Sequence, residues 1–229
     1  CCVRYNANGS TGNTATFSYT VTSPAVAACT ATGTVTVNIC RLTTPNQAAT
    51  VCAGGFVDIC LPFTASPACG TVTCANLTLG AASQGTLGTP GSCPGTVPCT
   101  SGCCVRYTAP TNPSGNTATF TYTLTAPGVA GCTSTGTVTV NICTLTTPNV
   151  TARVCPGGSV PICLPFTFAG SCGTVNCSNV TLGAPSQGTL GAPGACPGGT
   201  PCTSGCCVVY TAPSAPTAGT ATFTYTVAA

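Results

Sequence analysis

Residues 117–125 read TATFTYTLT and residues 136–143 read GTVTVNIC, and in both stretches an apolar residue stands at every second position. In the first, Ala118, Phe120, Tyr122 and Leu124 face one way and the threonines the other. In the second, Val138, Val140 and Ile142 alternate with Thr137, Thr139 and Asn141. Successive side chains of a strand leave opposite faces of a sheet, so a period of two predicts half-buried β-strands. Threonine suits the outer face because its branched side chain fits a pleated surface and pairs across strands.

Outward from these stretches the same alternation recurs. Val57, Ile59, Leu61 and Phe63 form another inward set, in which Pro62 implies an edge, a bulge or a strand end. Further strands are expected at Ala49–Cys52, Thr71–Leu79, Gln84–Leu87 and Cys103–Thr108, and no helical stripe is visible. Roughly seven short strands in about 100 residues, separated by Pro, Gly, Asn and Ser turns, predict an all-β chain of Ig-like β-sandwiches. The predicted core comprises Phe120, Tyr122, Val138, Val140, Val57 and Ile59.

The strands belong to a repeat. GTVTVNIC at 33–40 returns at 136–143, CLPFT at 60–64 returns at 163–167, and SQGTLG at 83–88 returns at 186–191. The offset is 103 residues throughout, apart from one residue missing between Tyr5 and Phe17 relative to Tyr107–Phe120. A period of this size describes an array of domains rather than a short-rung solenoid. The frame predicts a complete repeat at 41–143, the C-terminal part of a preceding repeat at 1–40, and a following repeat at 144–229 that lacks its last strand. Such a chain reads as a window on a longer array, and it opens at Cys1-Cys2 with neither Met nor a signal segment.

Twenty-two of the 229 residues are cysteine, a density that signals a disulfide scaffold. Six stand in doublets: Cys1 and Cys2, Cys103 and Cys104, Cys206 and Cys207. The others are Cys29, Cys40, Cys52, Cys60, Cys69, Cys74, Cys93, Cys99, Cys132, Cys143, Cys155, Cys163, Cys172, Cys177, Cys196 and Cys202. No C-x-x-C knuckle and no His occurs, which argues for disulfides and against zinc. All are expected to be oxidised, with pairing that spacing alone leaves open, in a secreted, periplasmic or surface protein. Strand parity places Cys60 and Cys143 opposite their apolar neighbours and sends the two thiols of each doublet to opposite faces. Several bridges are therefore expected on the outside of the sandwich, with Cys40 and Cys143 placed to staple one repeat to the next.

Charge excludes whole classes of function. Only 2% of residues are charged; they are Arg4, Arg41, Arg106, Arg153 and Asp58. Nucleic-acid binding needs clustered cations to neutralise phosphates, and four scattered arginines do not supply them. Mean hydropathy is +0.44, which argues against disorder, yet no apolar run is long enough to span a membrane. Asp58 has no second acid or His to work with, and the next repeat has Pro161 in its place, so it reads as an exposed strand residue and not an acid–base catalyst. Arg106 is likewise replaced, by Val209. The glycine-rich runs 53–56 and 194–199 lack the Lys and the helix of a phosphate loop and read as turns. No catalytic residue, metal or cofactor is expected. Glycosylation sequons stand at Asn8, Asn76, Asn149, Asn176 and Asn179. A chain this poor in charge needs glycans or self-association to manage its surface.

The order GTLG, CCVRYTAP, NTATFTYTLTAPG, CTSTGTVTVNI resembles the bacterial Ig-like and cadherin-like tandem repeats of very large surface proteins. The resemblance implies Ig-like domains in series on a cell surface. Such repeats usually carry Asp-rich loops that bind calcium; those loops are absent here, so no calcium site is implied and disulfides stand where relatives use the ion. The reading that follows is a structural extracellular protein, a rigid disulfide-stabilised filament, stalk or sheath whose partner is itself, as a homopolymer or as a longer array of the same chain. Two alternatives come from other classes: an adhesin stalk or binding module, and an ice-binding surface built from the threonine rows. The long period suits a flat threonine lattice poorly, and the cysteine spacing C-x5-C-x3-CC does not fit a hydrophobin-like film former.

Overall fold

The computed structural model describes residues 1–26, 28–198, 202 and 204–229. Among them, every regular element is a β-strand apart from three single turns of 3-10 helix. Segment 1–40 contributes β1 (Thr14–Thr22) and β2 (Thr30–Asn38). There follow β3 (Leu42–Thr43), β4 (Gln47–Cys52), β5 (Phe56–Pro62), β6 (Thr64–Ala65), β7 (Leu77–Leu79), β8 (Thr86–Leu87), β9 (Gly102–Thr108), β10 (Thr117–Thr125) and β11 (Thr133–Thr146). The remainder forms β12 (Ser159–Pro165), β13 (Thr167–Ala169), β14 (Val180–Leu182), β15 (Thr189–Leu190), β16 (Gly205–Thr211) and β17 (Tyr225–Val227).

Strand order establishes the Ig-like architecture. In the repeat at 41–143, β11, β10 and β7 lie side by side with β4 also on β11, while β5, β9 and β8 form a second sheet. Seven strands divided four and three, with the last strand shared between its neighbour β10 and the first strand β4, make an Ig-like sandwich. Alternation decides which side chains fill it: along β10 the burial pattern alternates strictly, and Ala118, Phe120, Tyr122 and Leu124 are all buried. Along β11, Val138, Val140 and Ile142 are completely buried. Of the predicted core, Phe120, Tyr122, Val138, Val140 and Ile59 are at most 4% exposed, and Val57 is half-buried.

The chain divides into two compact units. The first comprises Cys1–Ala49, Val57–Thr108 and Thr119–Thr139; the second comprises Thr50–Phe56, Ala109–Ala118 and Val140–Ala229. In the first unit β1 and β2 form a two-stranded antiparallel sheet from Thr14↔Asn38 to Thr22↔Thr30. Its core includes Leu61, Val105, Tyr107, Tyr122, Leu124 and Val138. In the second unit β12, β16 and β15 form one sheet and β14 pairs β17. The core there gathers Leu164, Phe166, Val180, Cys206 and Val208.

Three sequence expectations give way. Thr71–Leu79 is not one strand: Thr73 begins a 3-10 turn over Cys74–Asn76, and only Leu77–Leu79 is extended. The reason is a local hydrogen bond, in which the Thr73 N–H donates to Asn76 Oδ1 at 2.9 Å and diverts the backbone from the sheet. Phe63 lies beyond the end of β5 and is half-buried, because Pro62 ends the strand. Cys104 and Cys143, expected on the outer face, are 5% and 2% exposed. Each is bridged to a cysteine from a loop, and the loop covers the face that parity leaves outside.

Candidate functional site

Among the described residues sixteen cysteines form eight disulfides. In the first unit Cys40 bonds Cys69, Cys60 bonds Cys99, Cys74 bonds Cys103 and Cys93 bonds Cys104. In the second unit the same pattern recurs 103 residues later, as Cys143–Cys172, Cys163–Cys202, Cys177–Cys206 and Cys196–Cys207. The doublets thus work as parity requires, the first thiol reaching back 29 residues and the second 11. Cys40–Cys69 and Cys143–Cys172 each tie the end of one repeat in the sequence frame to the start of the next. Cys1, Cys2, Cys29, Cys52, Cys132 and Cys155, expected to be oxidised with the rest, have no disulfide partner among the described residues.

The second unit contains a groove of about 910 Å³ whose lining includes Val150, Val154, Ile162, Tyr210, Phe223 and Tyr225. Its origin is legible by comparison with the complete repeat. Val51, Ile59, Tyr107, Phe120 and Tyr122 occupy the matching positions there and are all buried. Val154, Ile162, Phe223 and Tyr225 are only half-buried. What covers the first set is β11, with Val138, Val140 and Ile142; no described strand plays that part for the second set. The backbone shows the same difference. Residues 150–155 and 220–224 are not strands, although their counterparts lie in β4 and β10, the two strands that flank β11.

The groove nevertheless keeps its shape. Tyr225 Oη donates toward the carbonyls of Pro148 at 2.6 Å and Pro165 at 2.9 Å. Tyr122 makes the same contacts, to Pro45 at 2.5 Å and Pro62 at 3.1 Å. The Gln187 amide nitrogen donates to the carbonyls of Ala218 at 2.7 Å and Thr220 at 3.0 Å, and its oxygen accepts from the Thr217 N–H at 3.0 Å. These bonds hold the segment leading into β17, so the groove is organised in advance of any occupant.

A strand of matching sequence exists in the chain. Residues 30–40 (TATGTVTVNIC) and 133–143 (TSTGTVTVNIC) differ only at Ala31 and Ser134. Strand β2 pairs with β1 alone, so the edge that in β11 receives β4 is open among the described residues. Its apolar face is poorly covered: Tyr19 and Val21 of β1 are 53% and 60% exposed, where Tyr122 and Leu124 are fully buried. Residues 14–21 (TATFSYTV) and 220–227 (TATFTYTV) are also near-identical, so β2 has the same partner sequence at its own β1 and at the groove. Register is set by glycine. A Cβ added at Gly136 would lie 2.5 Å from the Tyr122 ring, and one at Gly33 would lie 2.6 Å from the Tyr19 ring.

Asp58 and Arg106, read separately in the sequence, are partners. Arg106 Nε and Nη2 donate to the two carboxylate oxygens at 2.9 and 2.8 Å. The guanidinium lowers the Asp58 pKa from its ordinary value, chiefly through these bonds. In the second unit the matching residues Pro161 and Val209 lie directly opposite each other on β12 and β16. The shared loss of both charges was the signal that they pair. Among the sequons, Asn76 and Asn179 each accept a backbone hydrogen bond in a 3-10 cap, as Asn176 does from Ser178. Asn8 and Asn149 are exposed. Gly54 and Gly157 sit in turns at positive φ; Gly199 lies outside the described residues. Among the described residues no helix is long and apolar enough to cross a membrane.

No family model matches the chain, and no curated protein matches it in sequence. It is similar to a solved tandem of three titin Ig domains, an E-to-A mutated variant, at 6% identity and a TM-score of 0.33. That match covers 89% of this chain and 65% of the titin chain. The Ig-like description rests on the strand order given above.

Proposed function

We propose that the chain is part of an extracellular structural filament, stalk or sheath built from Ig-like repeats in series, in which each sandwich is closed by a strand from outside its own 144–229-type segment. The observation that carries this reading is the match between the groove of the second unit and β2. A groove lacking one strand, lined by the counterparts of residues that β11 buries, stands in the same chain as a near-copy of β11 with an open edge. The occupant is a strand of the TVTVNIC type, from a longer stretch of the same array or, as β2, from a second copy, pairing residues 150–155 on one side and 220–227 on the other. Supplied by a second copy and repeated head to tail without closing, this exchange would build a filament. Among the described residues β2 pairs β1 alone, and in the groove it would gain a partner on each edge.

The frame of 1–40, 41–143 and 144–229 follows from this reading, with Cys40–Cys69 and Cys143–Cys172 as the covalent ties between successive repeats. Disulfides supply rigidity and fit an oxidising, extracellular site. Catalysis plays no part, and glycans at Asn8 and Asn149 fit a surface with little charge of its own. Sedimentation across a range of concentrations, with electron microscopy of the native protein, tests it. Polymers lengthening with concentration, and shortened by a peptide of residues 30–40, are the expected result. Well-behaved monomers at every concentration would defeat the assembly reading.

A further inference from the structure

Three sulfurs meet where segment 1–40 joins the complete repeat. Cys40 is bonded to Cys69, and the thiol of Cys132, at the turn between β10 and β11, lies 2.8 Å from Cys40 Sγ. The three sulfurs lie within 4.8 Å of one another. Thiol–disulfide exchange needs the attacking sulfur against the sulfur it attacks, and Cys132 Sγ is in contact with Cys40 Sγ. Cys132 is half-buried, Cys69 fully buried. The Ser66 hydroxyl lies 3.6 Å from Cys69 Sγ; it accepts from the Arg41 N–H at 2.9 Å and donates to the Ile39 carbonyl at 3.1 Å.

We infer that Cys40 exchanges between two disulfide partners, Cys69 and Cys132, by thiol–disulfide exchange within the unit. Cys132 gives its proton to water and its thiolate attacks Cys40 Sγ; the Cys40–Cys132 bond forms as the Cys40–Cys69 bond breaks. The electron pair leaves on Cys69 Sγ, with the Ser66 hydroxyl beside it, and this sulfur takes a proton from water. One thiol and one disulfide exist before and after, so no oxidant or reductant is consumed. Either bond ties residues 1–40 to the repeat that follows. The tie therefore re-forms when an outside thiol opens it, because Cys132 or Cys69 displaces the intruder from Cys40. The inference is independent of strand assembly, since all three sulfurs belong to the first unit.

The molecule contains its own control. Within residues 1–229, Cys143–Cys172 is the same bridge one repeat later, with Ala169 in place of Ser66 and without the position 103 residues after Cys132. In Cys69→Ser, folded under a glutathione disulfide/glutathione buffer that oxidises paired thiols, Cys132 should close on Cys40, so titratable thiols fall by one relative to the unaltered chain folded in the same way. In Cys172→Ser they should rise by one, because Cys143 is left alone. A rise by one in Cys69→Ser would overturn the inference. A second measurement needs no variant at the bridge itself. Prolonged alkylation of the folded, unaltered chain, followed by peptide mapping under non-reducing conditions, should place label on Cys69 as well as Cys132. Cys132→Ser should lower the Cys69 label by about tenfold or more, because exchange depends on the positioned thiol. Label confined to Cys132 in the unaltered chain, with Cys40 bridged to Cys69 alone, would also overturn it.

Discussion

A peptide of residues 30–40, with Ser in place of Cys40 to keep it from cross-linking, should bind the groove of the second unit as a strand. The matching strand β11 buries Val138, Val140 and Ile142 completely and leaves Thr137 exposed and Thr139 half-buried. Val35 and Val37 of the peptide take the places of Val138 and Val140. Truncating either to Ala removes two methyl groups' worth of burial, about 1.6 kcal/mol at roughly 0.8 per group. That is a loss of about fifteenfold in affinity for each. Thr34→Ala and Thr36→Ala change the outer face and should cost less than about threefold, or about 0.5 kcal/mol. Gly33→Val should abolish binding, since its Cβ would meet the Tyr225 ring as one at Gly136 meets Tyr122. Isothermal calorimetry on the parent peptide and its five variants reads all of this. Equal sensitivity at the Val and Thr positions, or tolerance of Val at position 33, would refute strand insertion, because either result removes the parity and register on which the reasoning depends.

Gly136→Val within the chain should overpack the contact with Tyr122 and cost about 1–3 kcal/mol, seen as a lower denaturant midpoint at unchanged slope. Tyr122→Phe removes the donor to the Pro45 and Pro62 carbonyls and should cost about 1–3 kcal/mol, checked in the same way. Burial raises the pKa values of Tyr107, Tyr122 and Tyr225, so their contribution is complete below the usual tyrosine value of about 10 and is lost as pH rises through the higher folded values. Thermal melts should therefore fall on the alkaline side. Asp58 has a lowered pKa, so its contribution is present above the ordinary carboxylate range and is lost as pH falls through the lower folded value. With only one carboxylate side chain in the sequence, that acid limb should be shallow, and Asp58→Asn should flatten it.

Much of the fold was legible because alternation is a direct record of burial. The faces of β10 and β11 follow from TATFTYTLT and GTVTVNIC without any knowledge of their neighbours. The offset of 103 residues likewise exposed the β11-like sequence at 30–40. What alternation does not carry is which distant residues meet. Disulfide pairing depends on how loops fold over the sheets, so Cys104 and Cys143 were placed on the correct face but with the wrong exposure. The 3-10 turn at Cys74–Asn76 hid inside a strand-like run because a threonine can cap a turn as readily as it can face outward from a sheet. Asp58 and Arg106 sit 48 residues apart, and only the paired loss at Pro161 and Val209 hinted that they meet.

The order of the staples has a mechanical consequence. Under tension a covalent path enters at Cys40, crosses to Cys69, runs to Cys74, crosses to Cys103 and then follows the chain to Cys143, where the pattern begins again. Everything between Cys40 and Cys69, and between Cys74 and Cys103, lies in closed loops off that path and bears no load. With Cys40 bridged to Cys69, stretching can therefore draw out only residues 69–74 and 103–143 of this repeat, and β10 and β11 make up much of that length. The part of the sandwich that gives way to force is the hairpin whose last strand closes it, while the rest is locked at fixed length by sulfur.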